Sequence, residues 1–134
     1  MASNRLREHN SSKVVILDTS SIMMIFEFKI DLEDQLKDLL GSYKIYIPNS
    51  VKDELIKHLK YGKEKKKKLA KPSLKYIEKY EILPSEGIAD DDVIILALKY
   101  KGFIVTNDRE IRKKAKNKSL KTIYLRSKKR LAIE

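Results

Sequence analysis

The chain has 134 residues, enough for one domain with a buried core, and no cysteine, which excludes disulfides and thiolate metal sites. Its 30 Lys and Arg against 19 Asp and Glu give a net charge of +11. That balance suits a polyanionic partner, although the lysine enrichment of heat-adapted proteins produces the same sum. The apolar runs, "IMMIF" and "VIILAL", fall far short of the ~20 residues that cross a bilayer, and the opening "MASNRLREHNSSK" has no apolar core, so the expectation is a cytoplasmic protein with no membrane span or signal peptide.

Residues 1–12 read as a flexible N-terminal segment, and 13–134 as a single domain. "VVIL" (14–17) is a short β-branched apolar run, the pattern of a strand buried on both faces. "DTSS" then ends the strand and caps a helix beginning near Ile22. Leu32, Leu36, Leu39 and Leu40 keep helical spacing up to Gly41, a stop signal. "KIYI" (44–47) is a second strand closed by Pro48, and "NSVKDELIKHLKYG" a helix with Val51, Leu55 and Leu59 on one face. "KEKKKKLAK" (63–71) is a charge run, followed by a helix over 73–80 and a short strand, "EIL", broken by Pro84. An acid-rich turn leads into a helix over 91–101, "GFIVT" makes strand four, "NDREIRKKAK" a helix and "KTIYL" strand five. Strands alternating with helices predict an α/β fold with a parallel sheet flanked by helices.

The acids fall at one edge of that sheet. Asp18 follows strand one, Glu54 lies early in the helix after strand two, Asp90, Asp91 and Asp92 open the helix before strand four, and Asp108 follows strand four. Parallel sheets bind ligands outside the carboxyl ends of their strands, and neighbouring strands are only about 4.8 Å apart. Each acid has an ordinary use: Asp18, Asp90, Asp91 and Asp108 suit helix N-termini, and Glu54 suits a helix surface. Their conjunction at one edge is what points to chemistry. Converging carboxylates need a compensating cation, and oxygen donors select Mg²⁺ or Mn²⁺, ions suited to phosphodiester hydrolysis on a basic surface.

"VVILDTSSIM", "VKDEL", "ADDDVIILALKYKGFIVTND" and "TIYLR" resemble the PIN-domain ribonucleases over about residues 13–126, in the small single-domain form that includes VapC-type toxins and archaeal relatives of rRNA-processing nucleases. The resemblance implies a three-layer α/β sandwich with a five-stranded parallel sheet of order 3-2-1-4-5. It implies a metal-dependent endoribonuclease whose acids match Asp18, Glu54, Asp91 and Asp108. Asp18, Asp91 and Asp108 would hold one or two Mg²⁺ or Mn²⁺ ions, with Asp90 the second choice for the third acid. Thr19, Ser20, Thr106 and Asn107 match the polar residues that orient those acids. RNA would lie on basic surface near that edge, with Lys57, Arg109 and Lys113 as candidates, while Lys65 to Lys68 read either as a clamp or as a solvated helix face. Implied partners are RNA, a small antitoxin or a preribosomal particle, and a second copy in a homodimer.

Other α/β enzymes fit less well. A dehalogenase-type phosphatase needs an acid where Ser20 stands, and a phosphorelay receiver needs an acidic pair after strand one, where the chain reads "DTSS". A non-catalytic RNA- or protein-binding module is the rival from another class. His9 and His58 show no metal-ligand spacing and read as surface residues.

Overall fold

"KVVIL" forms the central strand β1 (Lys13–Leu17), whose Val15, Ile16 and Leu17 are wholly buried, as a strand covered on both faces requires. The computed structural model describes residues 12–85 and 87–134, so the expected N-terminal segment, Ser12 apart, and His9 lie outside the described residues. After β1 come α1 (Thr19–Glu27), α2 (Leu32–Leu40), β2 (Tyr43–Pro48), α3 (Asn49–Tyr61), α4 (Glu64–Ile77) and β3 (Glu81–Leu83). The chain then returns through α5 (Ala89–Tyr100), β4 (Phe103–Val105), α6 (Arg109–Asn117), β5 (Thr122–Arg126) and β6 (Arg130–Ile133).

The sheet order is β3-β2-β1-β4-β5-β6, with β1 to β5 parallel and β6 antiparallel to β5. The expected order of five strands is present, and a sixth strand extends it. The chain builds outward from β1 to β3 and then crosses to β4, so its direction of growth reverses beside β1. That reversal opens a crevice outside the carboxyl ends of β1 and β4, where an α/β sheet binds its ligands. Ile45, Ile47, Ile104, Val105 and Ile123 continue the apolar layer across the neighbouring strands. Gly102 lets β4 approach β1, since a Cβ there would come 2.9 Å from the Val14 carbonyl oxygen.

Three local differences from the sequence reading have physical causes. Helix α1 starts at Thr19 rather than near Ile22, because Asp18 caps it by accepting from the Ser21 N–H at 2.8 Å. The lysine run is not a separate segment: α4 runs from Glu64 through it and past Pro72, and the Ser73 hydroxyl donates to the Leu69 carbonyl at 2.6 Å. Its lysines solvate one side while Ala70, Ser73 and Ile77 are buried on the other. The sixth strand follows a tight turn in which Lys129 N–H donates to the Arg126 carbonyl at 3.1 Å, with Ser127 and Lys128 both at positive φ (52° and 58°). Such hairpin turns ordinarily carry Asn or Gly, so "SKK" hides the hairpin signal. Gln35 of α2 fastens the hairpin, donating to the Lys129 carbonyl at 3.0 Å and accepting from Leu131 N–H at 2.7 Å.

Candidate active site

The register of β1 on β4 builds the centre of the site. Leu17 pairs with Val105, so the next residues, Asp18 and Thr106, emerge side by side at the carboxyl edge. The Thr106 hydroxyl, fully buried, donates to Asp18 Oδ2 and accepts from the Asp108 N–H at 3.0 Å. The Ser20 hydroxyl donates to Asp18 at 2.9 Å and accepts from the Asn107 N–H at 3.1 Å. Asn107 is itself pinned: its Oδ1 accepts from Leu125 N–H at 2.9 Å and its Nδ2 lies 3.0 Å from Met24 Sδ. Asp108 caps α6, accepting from Glu110 N–H at 2.8 Å and Ile111 N–H at 3.3 Å. Asp18 and Asp108 therefore cap their helices, as read from the sequence, and also line the cleft, whereas neither Asp90 nor Asp91 is the N-cap of its helix.

Asp18, Glu54, Asp90 and Asp108 line one small cleft of about 150 Å³, together with Thr19, Ser20, His58 and Lys66. Asp91 does not. It is exposed and lines a separate groove, with its carboxylate 3.9 Å from Lys114 Nζ. Of the two candidates for the third acid, the second choice, Asp90, lies in the cleft and the first, Asp91, lies outside it, and helix phase is the reason. The N-cap of α5 is Ile88, which makes no side-chain cap, so all three acids fall in the first turn. Each step along a helix rotates the side chain by about 100°. Asp90 turns to the cleft, Asp91 away from it, and Asp92 into the interior, where it is 0% exposed.

Burial dominates the electrostatics of the cleft acids. Burial pushes the Asp18 carboxyl up to about 6, against the lowering effect of hydrogen bonds from Thr106, Ser21 and Ser20. Asp90 is also raised, first by partial burial and then by the charges of Asp108 and Glu54. The side chain of Thr19 is buried with no hydrogen-bond partner for its Oγ1 among the described residues, and it too lines the cleft. These are all hard oxygen donors around a carboxylate that burial destabilises when charged, a donor set that fits Mg²⁺ or Mn²⁺. Among the described residues, no three of His, Cys, Asp and Glu stand close enough together to hold one ion as they are. The cleft offers the right atoms in an open arrangement.

One cleft residue, His58, was missed in the sequence, and another, Lys66, was left open between clamp and solvated face. His58 was read as a surface residue, yet its Nε2 stands 3.7 Å from Glu54 Oε1, one helical turn away. The spacing of four from Glu54 was the available signal. Lys66 reaches the cleft only because α4 packs beside α1, which no local pattern reveals. Lys57, Arg109 and Lys113, the expected RNA contacts, are exposed on α3 and α6 and do not line the cleft. No described helix is long and apolar enough to cross a membrane.

The family described as "PIN like domain" matches residues 15–128. Ribonuclease VapC9 of Archaeoglobus fulgidus is 32% identical over 126 residues, covering 94% of this chain and 93% of that protein. Ribonuclease VapC4 of Methanocaldococcus jannaschii is 27% identical over 120 residues, covering 86% and 92%. Among solved structures, the PIN domain endonuclease Utp24 superposes with a TM-score of 0.76 at 23% identity, covering 92% of each chain. A domain of a functionally unknown protein from Methanocaldococcus jannaschii superposes at 0.60, with 18% identity and coverage of 87% and 93%. With a match across most of its length and a relative at this level of identity, the chain belongs to the PIN-like domain family.

Proposed function

We propose that this protein is a metal-dependent endoribonuclease of the cytoplasm. The observation that carries the reading is Asp18, 4% exposed yet aimed into an acidic cleft beside Glu54, Asp90 and Asp108. The relatives named ribonucleases and the structural likeness to an endonuclease support it. Asp18, Asp90 and Asp108 would hold one or two Mg²⁺ or Mn²⁺ ions, with Glu54 completing the set and Asp91 outside it. When bound, the ion supplies a water of lowered pKa and positive charge for the leaving oxygen.

The chain's own residues do the rest. Thr106 and Ser20 fix the Asp18 carboxylate, and each is tied in turn to the backbone of the 106–108 segment. Glu54 orients the attacking water, with His58 beside it. Lys57, Arg109 and Lys113 attract the RNA backbone to the rim. A small antitoxin or a preribosomal particle is the proposed assembly partner. Ile95 and Leu98, exposed on α5, support a homodimer.

A non-catalytic RNA- or protein-binding module is the second reading, favoured by the open spacing of the acids. One experiment separates the two: incubation of a structured RNA with Mn²⁺ or Mg²⁺, wild type beside Asp18→Asn, with and without EDTA. Cleavage that needs both metal and Asp18 is expected. RNA binding without cleavage by the wild type would favour the binding module.

A further inference from the structure

A second groove of about 320 Å³ runs between α1 and α4 and joins the acidic cleft, sharing Ser20, Met23 and Lys66 with it. The two differ in size and character. The cleft, at about 150 Å³, is below the ~300 Å³ at which small-molecule sites begin, so it has room for ions and a phosphate rather than a nucleotide. The groove is large enough for more, and Met23, Phe28 and Leu69 give it an apolar lining. Its wall is fixed, because Asn107 is held by its three contacts to Ser20, Met24 and Leu125.

The charges are arranged for a phosphate at the junction. Glu27, the acid in the groove, is neutralised by Lys65 at 2.6 Å. Lys66 is exposed, lies in both cavities and makes no ion pair among the described residues. Lys128 Nζ adds a second positive charge 5.7 Å from the Phe28 ring centroid. A largely apolar groove with Lys66 in its lining, joined to a phosphate-sized acidic cleft, is complementary to one nucleotide unit. Base stacking on apolar and aromatic side chains and Lys pairing with phosphate supply the recognition.

We propose that this groove is the subsite for the base of a nucleotide adjoining the scissile phosphate, and that Lys66 binds the phosphate between base and cleft. The assignment rests on the ribonuclease reading above. A base seated here fixes which phosphodiester enters the cleft, so the groove sets the position of the cut.

The test uses the full-length wild-type chain and a fluorescent RNA that it cuts. A single abasic nucleotide is moved one step at a time across the cleavage site. One position beside the cut is expected to raise KM about tenfold with little change in kcat. Leu69→Ala should raise KM on the intact RNA and add nothing at that abasic position, because base and side chain act as one contact. Lys66→Ala should raise KM and flatten its salt dependence, Lys66→Arg should restore both, and Lys37→Ala, exposed on α2 and lining neither cavity, should change neither. Cleavage with no position-specific effect in the walk, or a Leu69→Ala effect that merely adds to it, overturns the subsite and leaves the groove to an apolar segment of a protein partner. No cleavage by the wild type with any divalent metal refutes the ribonuclease reading, and the subsite with it.

Discussion

Replacing Asp18 by Asn should stabilise the metal-free protein at neutral pH while abolishing cleavage. Burial raises the Asp18 carboxyl from 3.8 to about 6, so ionising it costs more in the folded chain than in the unfolded one. Between those values the native state keeps a proton that the unfolded chain has released. The stability linked to that proton is present in full below pH 3.8 and is lost as pH rises through about 6. The loss amounts to roughly 3 kcal/mol, at 1.36 kcal/mol per pKa unit. Asn never ionises and escapes it. The substitution has its own cost, because an amide N–H₂ turned toward the Thr106 hydroxyl meets a donor, about 1 kcal/mol. The net gain is about 2 kcal/mol at pH 7.5, a rise in Tm of roughly 5–10 °C for a domain of this size. Thermal denaturation in EDTA, wild type against variant, should therefore show the variant ahead at pH 7.5, and level or slightly behind at pH 4. Mn²⁺ should raise the wild-type Tm and leave the variant unmoved. A variant no more stable at pH 7.5, relative to wild type, than at pH 4 would refute the idea that a buried charge is held ready for a cation.

Three further outcomes are expected. Asp90→Asn should weaken Mn²⁺ binding by about tenfold in calorimetry, whereas Asp91→Asn should leave it within about twofold, since only Asp90 faces the cleft; equal effects would put the third acid in doubt. Thr106→Val keeps the shape but removes the hydroxyl that serves Asp18 and the Asp108 N–H, and should destabilise by about 1–3 kcal/mol in urea titrations, with cleavage lowered at every pH. Lys128→Gly should stabilise the β5–β6 turn by about 1 kcal/mol, because glycine accepts φ near 58° without strain; a loss of stability would show that the turn is held by other means.

How much of this was legible in the sequence depends on whether a feature is local. The alternation of buried strands and amphipathic helices could be read directly, because "VVIL", "KIYI" and "GFIVT" carry the continuous apolar character of strands covered on both sides. The acids at the strand ends could be found for the same reason: a position just past a parallel strand lies at the binding edge whatever the rest of the chain does. The hairpin that adds β6 escaped because Ser127 and Lys128 occupy conformations that their residue types do not announce.

Which of three consecutive acids enters the cleft was not legible either. Asp90, Asp91 and Asp92 all suit a helix start, so composition could not say where α5 begins, and a shift of one residue turns the side chains by about 100°. Packing of the fully buried Asp92, Val93, Leu96 and Ala97 set the phase, and with it which acid meets Asp18.

The sequence by itself determined the fold class and the edge of the sheet where the acids gather, since these follow from strand and helix patterns along the chain. Tertiary structure alone decided what meets across that edge. Thr106 reaches Asp18 from 88 positions away because β4 pairs with β1 in one register. Lys66 reaches the cleft because α4 lies against α1. Contacts between segments depend on register and helix phase, which are fixed by burying the two partners together and are written in neither one alone.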